Sequence, residues 1–369
     1  MTAKEHRRNL HVLAEDGFCE FETKKYIMDA LKPLGCELYE VGATGIIAYF
    51  DFGKSTVSAF RAEMDALPTG RKTGIDFVSE STGFAHMCGH DGHMAMLLDF
   101  AGRISSESPT CNVMCVFQPA EEKRGGAESI VFSEEYERHR PERMFAIHLM
   151  PKLEKGRLFS RAGAICAGSS EVKATFFGDA VHITEPRRAD AIGKAAEFYL
   201  AVMAGTEKDN VFLRFGMMSG GTAGNITPEK VEFSGTARYF SSRERRKCEA
   251  LLSSAKNYGG DYVFTDYAPP VVNDKTLFRL SGCEKLPSPV LCADDFSVYG
   301  KRGAKTLYMF LGAGNVPPLH SPDFDFDEAV LSVGTEKFIA LCKNEKISNT
   351  IQSIANKCLK YVLKSAMFF

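Results

Sequence analysis

The chain has 369 residues, 44% of them apolar and 25% charged, with a formal net charge of −2. That length suits two domains, and the composition is that of a globular protein. The near-neutral charge excludes an electrostatic footprint for nucleic acid or for an anionic membrane surface. The first eight residues carry charges but no apolar run, and nothing reaches 18 consecutive apolar residues, so neither a signal peptide nor a transmembrane helix is expected. The 11 cysteines are odd in number and have no framework spacing. This pattern points to a reducing cytoplasm and free thiols.

In chain order, residues 23–34 read as a helix ended by Gly35. Strands fit 45–50 and 56–61, the second running into Ala62-Glu63-Met64-Asp65-Ala66-Leu67-Pro68. Next comes His86-Met87-Cys88-Gly89-His90-Asp91-Gly92-His93, which opens an apolar helix reaching about Ser105. Residues 112–117 form a buried strand followed at once by Gln118-Pro119-Ala120-Glu121-Glu122, and 143–147 another, followed by His148. The middle of the chain changes character. Strands fit 171–177, 210–216, 230–239 and 261–266, and a helix fits 190–203. Ser241 with Glu244 resembles a capping box that opens a helix to about Lys256. The order β-α-β-β-α-β is that of a ferredoxin-like module. A last strand at 306–311 leads to Gly312-Ala313-Gly314 and then His320. The basic tail 346–369 has apolar residues at helical spacing and reads as a helix packed on the main domain.

These elements predict an α/β protein of two domains. A mainly parallel sheet is built from residues 1–168 and 275–369, and an α+β module is inserted at 169–274. Asp65, Glu121, Glu122, His148 and His320 each follow a predicted strand, and the carboxyl ends of strands in open α/β sheets form the ligand crevice. With the Cys88/His90 loop they converge on one edge. Three histidines within eight residues beside a cysteine argue for a bound transition metal over a helix entry with incidental histidines.

Cys88, His90, Glu122, His148 and His320 fill two metal sites if one ligand bridges, and a thiolate bridges well. Each site then keeps an open position, the pattern of a catalytic centre. Adjacent Glu121 and Glu122 point in different directions, so one holds metal while the other takes a proton from the attacking water. The implied reaction is hydrolysis of an amide or peptide bond. Two other classes compete: a cysteine hydrolase with Cys88 as nucleophile activated by His90 or His93, and a binding protein that keeps the fold, for which Glu121 has no use. His93 reads as a packing or supporting histidine, His86 as structural, and His6, His11 and His139 as surface. Cys111, Cys115, Cys166, Cys248, Cys283, Cys292, Cys342 and Cys358 read as free thiols.

The stretches Arg61–Pro68, Cys88–His93, Phe117–Glu122 and Gly125-Gly126-Ala127 resemble the M20 metallopeptidase family. The nearest branch is the amidohydrolase one: aminoacylases, hippurate hydrolase, N-acetyldiaminopimelate deacetylase and auxin-conjugate hydrolases. The likeness continues through 178–186, 220–225, 235–238, 294–297 and 320–322, covering nearly the whole chain in order. It implies that Cys88 bridges two divalent ions, zinc or manganese first, nickel or cobalt next. His90 and His148 complete one site, and Glu122 and His320 the other. It implies Glu121 as general base and later acid, and Asp65 as a carboxylate that orients a ligand. His182, Asn225 and Arg238 of the inserted domain hold the substrate, and that domain acts as lid and homodimer surface. The expected substrate is a small N-acyl amino acid, with a carboxypeptidase or dipeptidase reaction as the alternative. The sequence departs from the family at Thr69-Gly70-Arg71-Lys72, where an acidic residue is usual, and at Met87. It departs again at Gly178-Asp179-Ala180-Val181-His182 and in the short stretch 273–294.

Overall fold

A computed structural model of the chain describes residues 1–69, 83–107, 109–186 and 188–348. Arg71 and Lys72, and the expected C-terminal helix beyond Ser348, lie outside the described residues. The chain divides into two compact units. The first comprises Met1–Gly163, Val272–Pro287 and Val298–Phe369, and the second Ala164–Val271 with Ser288–Ser297. Residues 288–297, expected in the first domain from sequence, thus group with the second.

The strands named are β1 (Glu37–Val41), β2 (Gly45–Phe50), β3 (Val57–Glu63), β4 (Asn112–Gln118), β5 (Arg143–Pro151) and β6 (Leu158–Ser160). They continue as β7 (Gly168–Phe177), β8 (Phe212–Gly220), β9 (Lys230–Tyr239), β10 (Gly260–Ala268), β11 (Glu284–Lys285) and β12 (Lys305–Gly314). The helices named are α1 (Ala3–His11), α2 (Phe21–Leu31), α3 (His90–Ile104), α4 (Gly126–Val131), α5 (Ala191–Asp209), α6 (Ser242–Ser253) and α7 (Leu331–Cys342).

The first unit is organised by an eight-stranded sheet in the order β1-β2-β4-β3-β5-β12-β6-β11. Its centre, β4, β3, β5 and β12, is parallel, while β1, β2 and β6 join antiparallel. Every residue of β2 and of β4 is buried, which is why both read as unbroken apolar runs rather than alternating ones. On one face Phe60 of β3, Phe100 of α3 and Phe338 of α7 meet with ring centroids 4.6–5.7 Å apart. Each such ring removed from water contributes on the order of 1.5–3 kcal/mol, so α3 is fixed firmly over the sheet.

The amino-terminal helix corrects an expectation. His6 and His11, expected at the surface, are buried, as is Arg7. Thr2 and Glu5 form a reciprocal capping box that starts α1. The helix then lays its charged residues against α3, where Arg7 Nε donates to Asp91 Oδ2 at 3.1 Å and His11 Nδ1 reaches the same oxygen at 2.8 Å. The guanidinium also stacks 3.8 Å from the centroid of Phe326. A charged helix looks solvated in sequence, but it can be buried when each charge meets a partner.

The second unit is an antiparallel sheet ordered β8-β9-β7-β10. Helices α5 and α6 cover one face, over a core of Val172, Phe176, Phe198, Leu213 and Phe233. This is the ferredoxin-like order read from the sequence. Asp190 caps α5 through Gly193 N, and Ser241 caps α6 through Glu244 N. The Glu244 carboxylate accepts from Phe240 N, one residue earlier than a capping box requires.

Candidate metal centre

Because β3, β4, β5 and β12 are parallel, their carboxyl ends share one edge of the sheet. Asp65 follows β3, Glu121 and Glu122 follow β4, His148 lies in the second half of β5, and His320 follows β12. Cys88 and His90 enter the same edge at the start of α3, where Gly89 sits at φ +83° and permits the abrupt turn. The turn carrying the two glutamates is held from behind. Ala120 adopts φ +51°, and its N–H donates to the buried Glu20 carboxylate at 2.9 Å. Gly126 closes over the turn so tightly that a Cβ would lie 2.2 Å from the Pro119 carbonyl oxygen. His320 also stands in the left-handed region, at φ +65°, and its N–H is bonded to the Met87 carbonyl at 2.8 Å. Non-glycine residues held there cost of order 1–3 kcal/mol each and concentrate at functional sites.

The five expected ligands come together. Donor atoms of Cys88, His90 and Glu122 all lie within 4.8 Å of one another. Cys88 Sγ is 3.5 Å from His148 Nε2, and Glu122 Oε1 is 3.1 Å from His320 Nε2. Backbone carbonyls orient the rings. His148 Nδ1 donates to Leu149 O at 2.7 Å, and His90 Nδ1 to Asp65 O at 2.9 Å. Both rings therefore turn Nε2 toward the cluster, and His90 Nε2 is buried with no hydrogen-bond partner. Asp65 also accepts the Glu122 N–H at 2.9 Å on Oδ2, tying the Asp65 and Glu122 turns to each other.

Behind this cluster stands a support. His93 Nδ1 donates to Glu63 at 2.8 Å, and His93 Nε2 accepts the Leu149 N–H at 2.9 Å. Both its nitrogens are used, so His93 braces the strand that carries His148 and is not free to ligate. Glu63 in turn is paired with Arg61, whose Nε donates to Gln118 Oε1 at 2.9 Å; Tyr299 OH reaches that same oxygen at 2.9 Å. Arg61, Glu63, Gln118 and Tyr299 were not singled out from sequence. The alternation of Arg61 and Glu63 along β3, carried on to Asp65 just beyond it, is the signal that would have found two of them.

The electrostatics suit cations. Burial opposes protonation of His90, but its bond to Asp65 and the charges of Glu63, Asp65 and Glu122 prevail and push its pKa up to about 10. Burial and the neighbouring His93 hold His148 at about 3, a neutral imidazole ready to donate a lone pair. Burial, then Glu122 and Glu121, drive the Cys88 thiol well above its usual range. Such a thiol is a poor nucleophile, which weighs against the cysteine-hydrolase reading. It becomes a thiolate only against added positive charge, the charge that a divalent ion brings. Buried thiol, imidazole and carboxylate donors, one of them an orphaned nitrogen, fit divalent metal ions.

In the second unit, His182 and Asn225 are neighbours. A β-bridge joins His182 to Ile226, and Ile183 N–H donates to Asn225 O at 3.0 Å. Arg238 lies elsewhere, half-buried near the end of β9 and bonded to Ser169 and Thr236.

The description Peptidase family M20/M25/M40 matches residues 59–344, which span both units. The chain belongs to this family. The M20 protein is accordingly a hydrolase of amide bonds. It is 29% identical to an uncharacterised hydrolase of Staphylococcus epidermidis, over 92% of this chain and 97% of the other. It is also 29% identical to the N-acetyldiaminopimelate deacetylase of Leuconostoc citreum, over 90% and 94%. Among solved structures, a dinuclear metal-binding M20 peptidase of Bacillus subtilis superposes with a TM-score of 0.79 at 26% identity, covering 92% of this chain and 96% of that one.

Proposed function

We propose that this M20 hydrolase removes the acyl group from a small N-acyl amino acid, or cleaves a similar small carboxylate-bearing amide, with two divalent ions per chain. The observation that carries the reading is the gathering of Cys88, His90, Glu122, His148 and His320 around one buried thiol, beside Glu121. Cys88 would be shared by the two ions, and His90 with His148, and Glu122 with His320, would complete the two sites. Zinc or manganese suits these donors first, nickel or cobalt next. Bound there, the ions would supply the positive charge that polarises the amide carbonyl and acidifies the attacking water. Glu121 takes the proton from that water and returns it to the leaving amine. Asp65 keeps His90 and the Glu122 turn in place. Arg238 grips the substrate carboxylate as a charged planar fork. Asn225 adds a hydrogen bond, and His182 meets the oxyanion. The Leuconostoc deacetylase supports an N-acyl substrate.

The three substrate residues also support a dimer. In the lid sheet Arg238 pairs with Ser169, while Lys230, eight residues earlier, pairs with Phe177 beside the His182 segment. Eight residues of strand span about 26 Å, too far for one small substrate to touch both ends within a single chain. A C₂ pairing of lids joins Arg238 of one chain with the partner's His182 and Asn225. The edge strand β8 and helix α5 present Tyr199, Leu200, Met217 and Met218 to solvent, Met217 at 69% exposure, and open apolar edges seek partners. None of the described helices is long and apolar enough to cross a membrane, and we place the enzyme in the cytoplasm with its free thiols.

The test is a screen of the metal-reconstituted enzyme over N-acetyl and N-benzoyl amino acids and dipeptides, each acid compared with its amide. The expected result is cleavage of N-acyl acids, with the amide form slower by roughly tenfold or more in kcat/KM and the difference erased by Arg238→Ala. Preferred turnover of dipeptides selects the peptidase alternative. Equal rates for acid and amide forms remove the role given to Arg238.

A further inference from the structure

Cys166 and Cys292 face each other inside the second unit. Neither is in a disulfide, and their sulfurs are 3.6 Å apart. Backbone hydrogen bonds bind the two segments on either side of the pair. Ala167 N–H donates to Cys292 O at 2.8 Å and to Val290 O at 3.1 Å, and Val290 N–H to Ile165 O at 2.9 Å. The main chain therefore brings the two segments together. Cys111, Cys248 and Cys342 instead turn their sulfurs to backbone carbonyls. The pair is also divided in accessibility: Cys292 is exposed and Cys166 is fully buried. An accessible thiol backed by a buried one is the arrangement of an attacking and a resolving cysteine.

We propose that Cys292 and Cys166 form a reversible disulfide when the enzyme meets a hydroperoxide. The Cys292 sulfur attacks one peroxide oxygen, the O–O bond breaks, and the alcohol or water leaves with a proton. Cys292 is then a sulfenic acid. The Cys166 sulfur attacks the Cys292 sulfur, the S–O bond breaks, and the hydroxide departs as water with the proton of Cys166. Two thiols have lost two electrons and two protons, and one peroxide has become alcohol and water. A small dithiol restores both thiols by exchange. The bond closes beside Arg238. Ser169, three residues after Cys166, accepts a hydrogen bond from the Arg238 guanidinium. Oxidation ties the segment that carries this contact to Cys292, beside the residue assigned to the substrate carboxylate. The bond itself stands apart from the substrate reading, whereas its effect on KM rests on that reading.

The experiment treats the full-length folded protein with low hydrogen peroxide, alkylates remaining thiols and maps peptides without reduction. A peptide pair linked through Cys166 and Cys292 is expected before any other cysteine is consumed, and dithiothreitol should abolish it. In C166S the sulfenic acid at Cys292 has nothing to resolve it, so trapping by dimedone should rise roughly tenfold over the unsubstituted protein. C166A guards against a packing effect of the serine. Oxidation should change KM for an N-acyl acid in the unsubstituted enzyme and leave C166A unaffected. The proposal is overturned if Cys292 proceeds to sulfinic acid while Cys166 stays alkylatable after denaturation, or if dimedone labels Cys292 equally with and without Cys166. A linked peptide with unchanged KM overturns the coupling to Arg238.

Discussion

Two neighbouring glutamates on one turn have different surroundings. Glu122 donates its backbone N–H to Asp65 and sets its carboxylate against His320 and among the donors around Cys88. Glu121 is buried beside it, close enough to raise the Cys88 thiol. Glu121→Gln should retain both ions and lose about 10²–10⁴-fold in kcat, the usual worth of a general base. Glu122→Gln should lose metal first. Metal analysis alongside turnover decides it, and loss of metal from the Glu121 variant would mean that the roles are reversed. Glu63 makes a subtler claim, since its hydrogen bonds go to His93 and Arg61 while its carboxylate lies within 4.8 Å of ring nitrogens of His90 and His148. Glu63→Gln should leave the fold intact and weaken metal affinity by roughly 10–100-fold, as loss of an outer hydrogen bond to a site commonly does. Competition with a graded chelator reads this; an unchanged affinity would show that the His93 brace is dispensable.

At the scale of elements, α1 is the least expected part of the fold. Burial holds His6 at about 4 against an ordinary 6.5, and its Nδ1 lies 2.9 Å from Tyr26 OH. The folded-state value is below the unfolded one, so the unfolded chain binds this proton more tightly. Stability from His6 is complete above about pH 6.5 and drains as pH falls toward about 4. Between pH 7.5 and pH 5 the loss should be on the order of 2 kcal/mol. Urea unfolding of the protein and of His6→Gln at the two values measures it. The drop in stability should be smaller by that amount in the variant. Parallel pH dependence would mean that His6 is hydrated in the folded state.

Across the whole molecule, the separation of Arg238 from His182 and Asn225 leads to a prediction about pairs of chains. Arg238→Ala and His182→Ala should each be nearly inactive alone. In the proposed lid dimer, coexpression would give mixed dimers in which one of the two sites has both residues intact, so activity should return to about a quarter of the unsubstituted level for statistical pairing. No recovery, in mixtures shown by light scattering to be dimeric, would place all three residues' action within a single chain.

The sequence alone determined the layout. Buried parallel strands appear as continuous apolar runs because both faces are covered, so β2, β4 and the core of β5 were legible nearly to the residue. The order of elements in 168–268 was legible because strand and helix periodicities differ. The gathering of candidate ligands was legible because Cys88, His90 and Glu122 sit in dense local clusters, and because loops after parallel strands must share an edge. What the tertiary structure decided was pairing over distance. Nothing local marks His6, Arg7 and His11 as buried, since the Asp91 that satisfies the last two lies 80 or more residues away. Glu63 looked like one more strand residue until Arg61 and His93 closed on it. The span between Arg238 and His182 follows from the register of β7 on β9, and the approach of Cys292 to Cys166 from a bridge between segments 126 residues apart. Periodicity records which face of an element is wet; it carries no record of which distant group will meet a charge or a thiol, because that is fixed only when the chain closes.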